Sequence, residues 1–147
     1  MTNSFQHGKA SFIPQMVHFD TIKGWLSWQE NSHPLTIDLG LERVAKVYQA
    51  LNPGGVKPIT ITVAGTNGKG SCIAYLEAIY RAQGYRVGAY TSPHILRYNE
   101  RIKIDGSPVQ DGLICNAFER IEKVRDNVSL SYFEFGTLAA LDIFSRA

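Results

Sequence analysis

The stretch VAGTNGKGS, residues 63 to 71, constrains the fold of this chain more than any other. A run rich in β-branched residues, PITIT at 58 to 62, precedes it, and an apolar-periodic run follows it as far as Gly84. A strand that enters a glycine-rich turn and then a helix presents backbone N–H groups and a helix N-terminus to an anion. The stretch therefore predicts a strand, a phosphate-binding loop and a helix in that order.

The loop departs from the common G-x-x-x-x-G-K-[ST] pattern at two positions. If Gly68 and Lys69 supply its G-K, the first glycine should stand where the chain has Val63, and the hydroxyl comes one place late, at Ser71. Lys69 can still reach the β- and γ-phosphates as a point charge, and Ser71 or Thr66 can ligate Mg²⁺. A glycine-rich turn without a ligand is the alternative that the residues leave open.

The rest of the pattern predicts an α/β fold, with a P-loop-type parallel sheet flanked by helices. YRVGAYTS (85–92) is expected to be a second strand, parallel to the first, and RIKIDG (101–106) a hairpin or edge strand. Because a doubly wound sheet usually has more than these parallel strands, we expect a truncated domain. Helices are expected from Ile22 to Gln29 with Asp20 as N-cap, and over 41–51, 73–84, 110–125 and 132–147.

Composition and charge exclude several classes of protein. The formal charge is +2, from 15 basic and 13 acidic residues without a long run of either, so we expect no nucleic-acid partner and no membrane surface. No leader-like or membrane-length apolar segment stands out, which predicts a cytoplasmic protein. Cys72 and Cys115 lie in helical patterns and are expected to be buried, reduced thiols, and Trp25, Trp28 and Tyr48 are expected in the core.

Four separated motifs together resemble one family. VAGTNGKGS and YTSPHILRYNERIKIDG are similar to the ATPase domain of the Mur ligase superfamily, in its folate branch of bifunctional dihydrofolate synthase/folylpolyglutamate synthases, and TIDLGLERV (36–44) and LSYFEFGTLAALDIF (130–144) agree. The superfamily's loop reads G-T-x-G-K with its own spacing, so Val63 is not a missing glycine. Gly70 and Ser71 after the lysine favour the folate branch over the cell-wall branch. The resemblance covers about residues 22–147.

The resemblance implies an ATP-dependent ligase. The γ-phosphate of ATP would pass to a substrate carboxylate, and the amine of L-glutamate would attack the acyl phosphate to give an amide, ADP and phosphate. The acceptor is dihydropteroate, the glutamate tail of a reduced folate, or both. The implied cofactors are Mg²⁺ and, as an option, a monovalent cation. The full-length protein is expected to be a monomer whose partners are these small molecules.

The resemblance also assigns candidate site residues. Lys69 would be catalytic, Ser92 and Ser71 would ligate Mg²⁺, and the ATP phosphates would be bound by Gly65, Thr66, Asn67, Gly68, Lys69, Gly70 and Ser71. The dihydropteroate site would comprise Asp38, Leu39, Gly40, Leu41, Ser131, Tyr132, Phe133 and Glu134.

Structural alternatives stand beside several of these assignments. Ser131 and Glu134 form a capping-box pattern, which is a sufficient role without a ligand. His94 is expected to be a solvated or hydrogen-bonded loop residue, and Arg97 and Arg101 pair either with an anionic substrate or only with Glu100 and Asp105. The residues alone do not choose between these readings.

The chain is expected to hold part of a larger enzyme. Residues 1–19 are expected to be a loosely ordered lead-in and 20–147 the N-terminal part of an ATP-binding Mur-ligase-like domain, with the C-terminal domain absent. The 147-residue chain should therefore turn over little or not at all. Robust glutamate-dependent release of ADP would contradict this. The alternative function is a nucleotide-binding P-loop module or a phosphotransferase without ligase activity.

Overall fold

The computed structural model describes residues 17–32, 40–55 and 58–147. Their α-helices are α1 (Ile22–Ser32), α2 (Glu42–Leu51), α3 (Lys69–Ala82), α4 (Asp111–Val124) and α5 (Tyr132–Arg146). Their strands are β1 (Gly88–Tyr90), β2 (Ile102–Ile104) and β3 (Ser107–Pro108), and a 3₁₀ helix covers Tyr98–Arg101. The helices predicted from periodicity are thus confirmed. Most of the predicted lead-in lies outside the described residues.

The core lies between α1, α2, α4 and α5. The Trp25 ring is 5.8 Å from that of Phe118, which is 6.1 Å from that of Phe135. Trp28 stacks edge-on against Phe135, and Tyr48 packs against the same cluster, so the predicted core role of these aromatic residues is confirmed. Edge-to-face contacts of this kind stabilise a core beyond the area that they bury.

Two helix starts are defined by side-chain caps. At α5 the Glu134 N–H donates to Ser131 Oγ (3.4 Å) and the Ser131 N–H donates to Glu134 Oε2 (2.7 Å), so the predicted capping box is confirmed. At α1 the hydroxyl of Thr21 accepts from the Gly24 N–H at 3.2 Å. Thr21, not Asp20, therefore caps α1, because its oxygen faces the first turn.

The predicted parallel sheet is wrong for the described residues. β1 pairs antiparallel with β2, and β2 pairs antiparallel with β3 across a turn in which Asp105 (φ 50°) and Gly106 (φ 83°) are left-handed. Residues 58–65 form no strand there, and Ile59 is 98% exposed. The physical reason is that β-branched residues favour a strand only when a neighbouring strand completes its hydrogen bonds and covers its faces. The predicted hairpin is confirmed.

Helix α3 stands outside the core. None of its residues is buried, and Tyr75 (73%) and Ile79 (58%) are exposed. Cys72 on α3 is also exposed, which corrects the expectation of a buried thiol, while Cys115 on α4 is partly buried. Across the described ranges, no helix has both the length and the apolar character needed to cross a bilayer.

Candidate functional site

The glycine-rich loop turns sharply into α3. Gly68 has φ 76° and ψ 0° directly before the helix, a left-handed conformation that favours glycine. The Lys69 ammonium folds back and donates to the carbonyl oxygens of Gly65 (2.6 Å) and Thr66 (3.1 Å). The loop is exposed throughout, so the first amides of α3 and the lysine are accessible to an anion.

The segment after β1 is held by one carboxylate. Glu100 accepts hydrogen bonds from the backbone N–H groups of Ile95 (2.8 Å), Leu96 (3.0 Å) and Arg97 (2.7 Å). These bonds lower the pKa of Glu100, and the bond from Ile95 has the largest effect. Glu100 therefore organises the loop that follows Ser92. The Arg97 side chain lies 3.8 Å from Asp111. Of the two alternatives that the sequence left open for Arg97, an anionic substrate or only the acids Glu100 and Asp105, the pairing with these acids is therefore not the one that the structure shows.

The N-terminus of α5 is tied to the start of α2. Arg43 Nη2 lies 2.8 Å from Glu134 Oε1, and Glu134 Oε2 is already engaged in the capping box. Both carboxylate oxygens are thus committed inside the fold. The side chains beside this pair stay accessible, since Leu41 is 77% and Phe133 54% exposed. Asp38 and Leu39 lie outside the described residues.

The structure brings some of the candidate segments together. The ring of Tyr90, at the end of β1, lies 6.1 Å from that of Phe133, so the region around Ser92 lies near the start of α5. The Arg43–Glu134 pair adds Gly40 and Leu41 to this region. The hydrogen bonds of Lys69 are internal to its own loop, and α3 contacts the rest of the fold at β1 and through Arg81, which packs against Gly106.

Arg101 is a buried cation at the centre of this region. It is 9% exposed, its Nε donates to His94 Nδ1 at 2.9 Å, and its guanidinium carbon lies 5.5 Å from the ring centre of Tyr98 and 5.6 Å from that of Tyr132. It pairs with neither of the acids suggested by the sequence. Asp105 instead accepts from the Val87 N–H and lies 4.0 Å from Arg86.

Burial keeps the surrounding tyrosines neutral. Desolvation raises the pKa of Tyr98, Tyr90 and Tyr132, and for Tyr98 the rise is large. The Tyr90 hydroxyl is buried and has no partner in strict hydrogen-bonding geometry in the described part of the chain, but Thr137 and Arg101 lie near enough to oppose the larger effect of burial on its pKa. None of these phenols supplies a negative charge to Arg101.

A metal site is incomplete in this part of the molecule. Among the described residues, no group of three or more His, Cys, Asp or Glu side chains could hold a metal ion. The exposed hydroxyls of Ser71 and Ser92 fit a Mg²⁺ ion that takes most of its ligands from phosphate and water oxygens.

Sequence reasoning missed Arg43 as a site residue. It lies 91 positions from Glu134, and no local pattern connects the two. The available signal is indirect: a carboxylate buried at the start of an apolar helix needs a cation nearby.

The comparisons with known sequences agree on one family of enzymes. The dihydrofolate synthase/folylpolyglutamate synthase of Escherichia coli (strain K12) is 48% identical over 126 residues, which are 86% of this chain and 30% of that protein. The Haemophilus influenzae protein of the same name is 46% identical over 123 residues, or 84% of this chain and 28% of that protein. The chain thus spans about 30% of the length of these relatives. No protein-family model matches the chain.

Solved structures give the same result. E. coli FolC in complex with DHPP and ADP matches with a TM-score of 0.81 and 46% identity over 86% of this chain and 30% of that one. The bifunctional folylpolyglutamate synthase/dihydrofolate synthase from Yersinia pestis, complexed with AMPPNP and Mn ion, matches with a TM-score of 0.77 and 46% identity over 86% of this chain and 31% of that one.

Proposed function

Because this chain is a homologue of the dihydrofolate synthase/folylpolyglutamate synthases over about 30% of their length, we propose that it supplies ATP- and acceptor-binding residues to a glutamate ligase. The reaction is the ATP-dependent addition of L-glutamate to dihydropteroate, to the glutamate tail of a reduced folate, or to both. On this proposal, residues 20–147 are part of the ATP-binding domain.

The observation that carries the proposal is the geometry of the loop at Gly68 and Lys69. A left-handed glycine directly before α3 leaves the first helical amides accessible, and the lysine rests on carbonyl oxygens of the same loop. Phosphate oxygens would replace those carbonyls as acceptors, because a charge-assisted bond between ions is the stronger one. The E. coli relative with ADP and the Y. pestis relative with AMPPNP support this placement by similarity.

Ser71 and Ser92 would hold Mg²⁺ beside the phosphates. The ion would neutralise the charge that develops on the transferred phosphoryl group and help to align it with the acceptor. Ser71 and Ser92 would orient the phosphate oxygens through the ion, and Lys69 would supply a fixed positive charge beside them.

The acceptor would lie at the start of α5. Leu41 and Phe133 are exposed apolar side chains on segments that the Arg43–Glu134 pair ties together, and a planar pterin ring suits such surfaces. Ser131 and Tyr132 complete the assigned segment. Since both oxygens of Glu134 are engaged within the fold, Glu134 would act by positioning this segment rather than by direct contact.

The two-step chemistry follows from leaving-group ability. A carboxylate oxygen attacks the γ-phosphorus of ATP and ADP leaves, which forms an acyl phosphate. The glutamate amine then attacks the acyl carbon, phosphate leaves with the C–O bond electrons, and the amine loses a proton. Catalysis of this kind depends chiefly on positioning and electrostatic stabilisation.

Titration of ATP into the chain tests the loop. Lys69→Ala should weaken Mg-ATP binding about 10- to 100-fold, because it removes a charged hydrogen-bond donor to phosphate. The matched control is Lys123→Ala, at an exposed position on α4, which should bind like the unaltered chain. Equal affinity for Lys69→Ala and Lys123→Ala, measured by calorimetry, would count decisively against the assignment.

A chimaera separates a ligase from a nucleotide-binding module. The 126 matching residues of the E. coli enzyme are replaced by those of this chain, and ADP release is measured with and without L-glutamate and dihydropteroate. The unaltered E. coli enzyme sets the full rate. The proposal predicts ADP release that needs both substrates. Release indifferent to glutamate would support a phosphotransferase or a simple ATPase instead.

A further inference from the structure

Arg101 lacks the partner that a buried cation needs. Within the described ranges no carboxylate lies in ion-pair distance of its guanidinium, although other arginines there have such partners. Glu30, whose charge raises the pKa of Tyr132, is exposed on α1 and forms no such pair with it. Burying a cation without an anion is costly, and aromatic rings offset only part of that cost.

The contacts of Arg101 orient it without neutralising it. The Nε donor is used by His94, while the stacking on Tyr98 and Tyr132 fixes the plane of the guanidinium. The guanidinium also interacts with the neutral hydroxyl of Tyr90, and the rest of its Nη1 and Nη2 N–H groups form a planar fork of the kind that matches a carboxylate. Because His94 accepts through Nδ1, its neutral ring carries the proton on Nε2, as a further donor at the same place.

The position of Arg101 indicates which group of a ligand it would bind. Tyr132, under the guanidinium, adjoins Phe133, where the acceptor's ring is proposed to lie, and His94 follows the proposed Mg²⁺ ligand Ser92 by two residues. An acceptor whose ring lies at Phe133 and whose other end reaches the proposed metal ligand Ser92 would therefore pass close to Arg101. The anionic group that it carries to that point is its reacting carboxylate.

We propose that Arg101, oriented by His94, binds the carboxylate of the pterin-bearing acceptor substrate. This inference rests on the proposed function, since it takes the acceptor from it. The bound carboxylate supplies the negative charge that no described residue provides to Arg101. The carboxylate is then held between the proposed ring site and the proposed metal site. Selectivity for an acid over its neutral analogue follows from the same pairing.

The test compares two ligands that differ only in charge. Dihydropteroate and its carboxamide are titrated into the 147-residue chain, into Arg101→Met and into Arg101→Lys, with binding measured by calorimetry. The unaltered chain should prefer the acid by roughly tenfold or more, Arg101→Met should bind both equally, and Arg101→Lys should keep part of the preference. The control is Arg97→Met, whose side chain is 74% exposed, and it should keep the full preference.

Each other outcome has a defined meaning. A full preference for the acid in Arg101→Met, or no preference in the unaltered chain, overturns the role of Arg101 while the pterin site stands. Failure of the unaltered chain to bind either ligand contradicts the proposed function itself. Circular dichroism checks that each variant folds. If Arg101→Met does not, the preference of the unaltered chain and that of Arg101→Lys decide.

Discussion

Gly136 in α5 is a glycine because two neighbouring tyrosine side chains leave no room for a larger residue. A Cβ at this position in α5 would lie 2.8 Å from the hydroxyl of Tyr98 and 2.9 Å from that of Tyr90. Gly136→Ala should therefore lower the free energy of unfolding by about 1–3 kcal/mol, because buried rings must shift to admit the methyl group. Urea denaturation followed by circular dichroism measures the change.

The matched control is the helical glycine Gly112 in α4. A Cβ there meets no atom within 4 Å, so Gly112→Ala should leave stability unchanged or raise it by up to about 1 kcal/mol. The expected result is a loss of stability for Gly136→Ala and no loss for Gly112→Ala. A Gly136→Ala variant as stable as Gly112→Ala would show that the two tyrosines do not confine this position.

Residues are predictable from sequence where the cause is local. Ser131 and Glu134 lie three residues apart, which predicts a capping box, and this capping box is present at the start of α5. Arg43 and Arg101 gain their roles from partners or surroundings assembled by the whole fold, such as Glu134 for Arg43. No local pattern pointed to Arg43. For Arg101 the sequence left two alternatives, an anionic substrate or the acids Glu100 and Asp105, and the structure shows that its Nε donates to His94 and that it pairs with neither acid.

At the scale of elements, periodicity predicted the helices and failed for the sheet. An α-helix closes its hydrogen bonds within one segment, so its pattern is self-sufficient. A strand depends on its neighbours, and residues 58–65 have no strand partner in the described structure despite their β-branched composition. The hairpin of β2 and β3 was predictable because Asp105 and Gly106 mark its turn locally.

The link between α2 and α5 is testable by a double-mutant cycle. Arg43→Met and Glu134→Gln, singly and together, should give a coupling energy of about 1–3 kcal/mol, because the 2.8 Å pair is largely shielded from water. The matched cycle uses Arg86 and Asp105, which are 4.0 Å apart and exposed, and should give at most about 0.5 kcal/mol. Comparable coupling in both cycles would contradict a structural tie at the proposed acceptor site.

The loop after Ser92 should respond to acid. The folded-state pKa of Glu100 lies below its ordinary value of 4.5. The stabilisation of the loop by the ionised carboxylate is therefore fully present above pH 4.5 and is lost as the pH falls through the lowered pKa. In that acidic range the amides of Ile95, Leu96 and Arg97 should lose protection, so that their hydrogen-exchange rates approach the intrinsic rates for the same pH. Glu100→Gln should exchange faster already at neutral pH. Protection independent of both changes would refute the role of Glu100.

At the scale of the whole molecule, the helical core and the proposed phosphate loop are distinct parts. The core of α1, α2, α4 and α5 carries the proposed acceptor residues, whereas α3 has no buried residue and meets the fold at β1 and, through Arg81, at Gly106. Apolar side chains on α3, such as Tyr75, remain exposed. The sequence predicted both parts through separate motifs, but their arrangement depends on contacts between elements, which no single motif encodes.

The most direct test of the central claim is a pair of ligand titrations followed by two-dimensional amide NMR of the labelled chain. We predict that Mg-ATP shifts the resonances of Gly65 to Ser71, and that dihydropteroate shifts those of Leu41 and of residues 131–134. Lys69→Ala should abolish only the first set. Shifts by Mg-ATP that leave the loop unchanged, or dihydropteroate binding that leaves the start of α5 unchanged, would contradict the account.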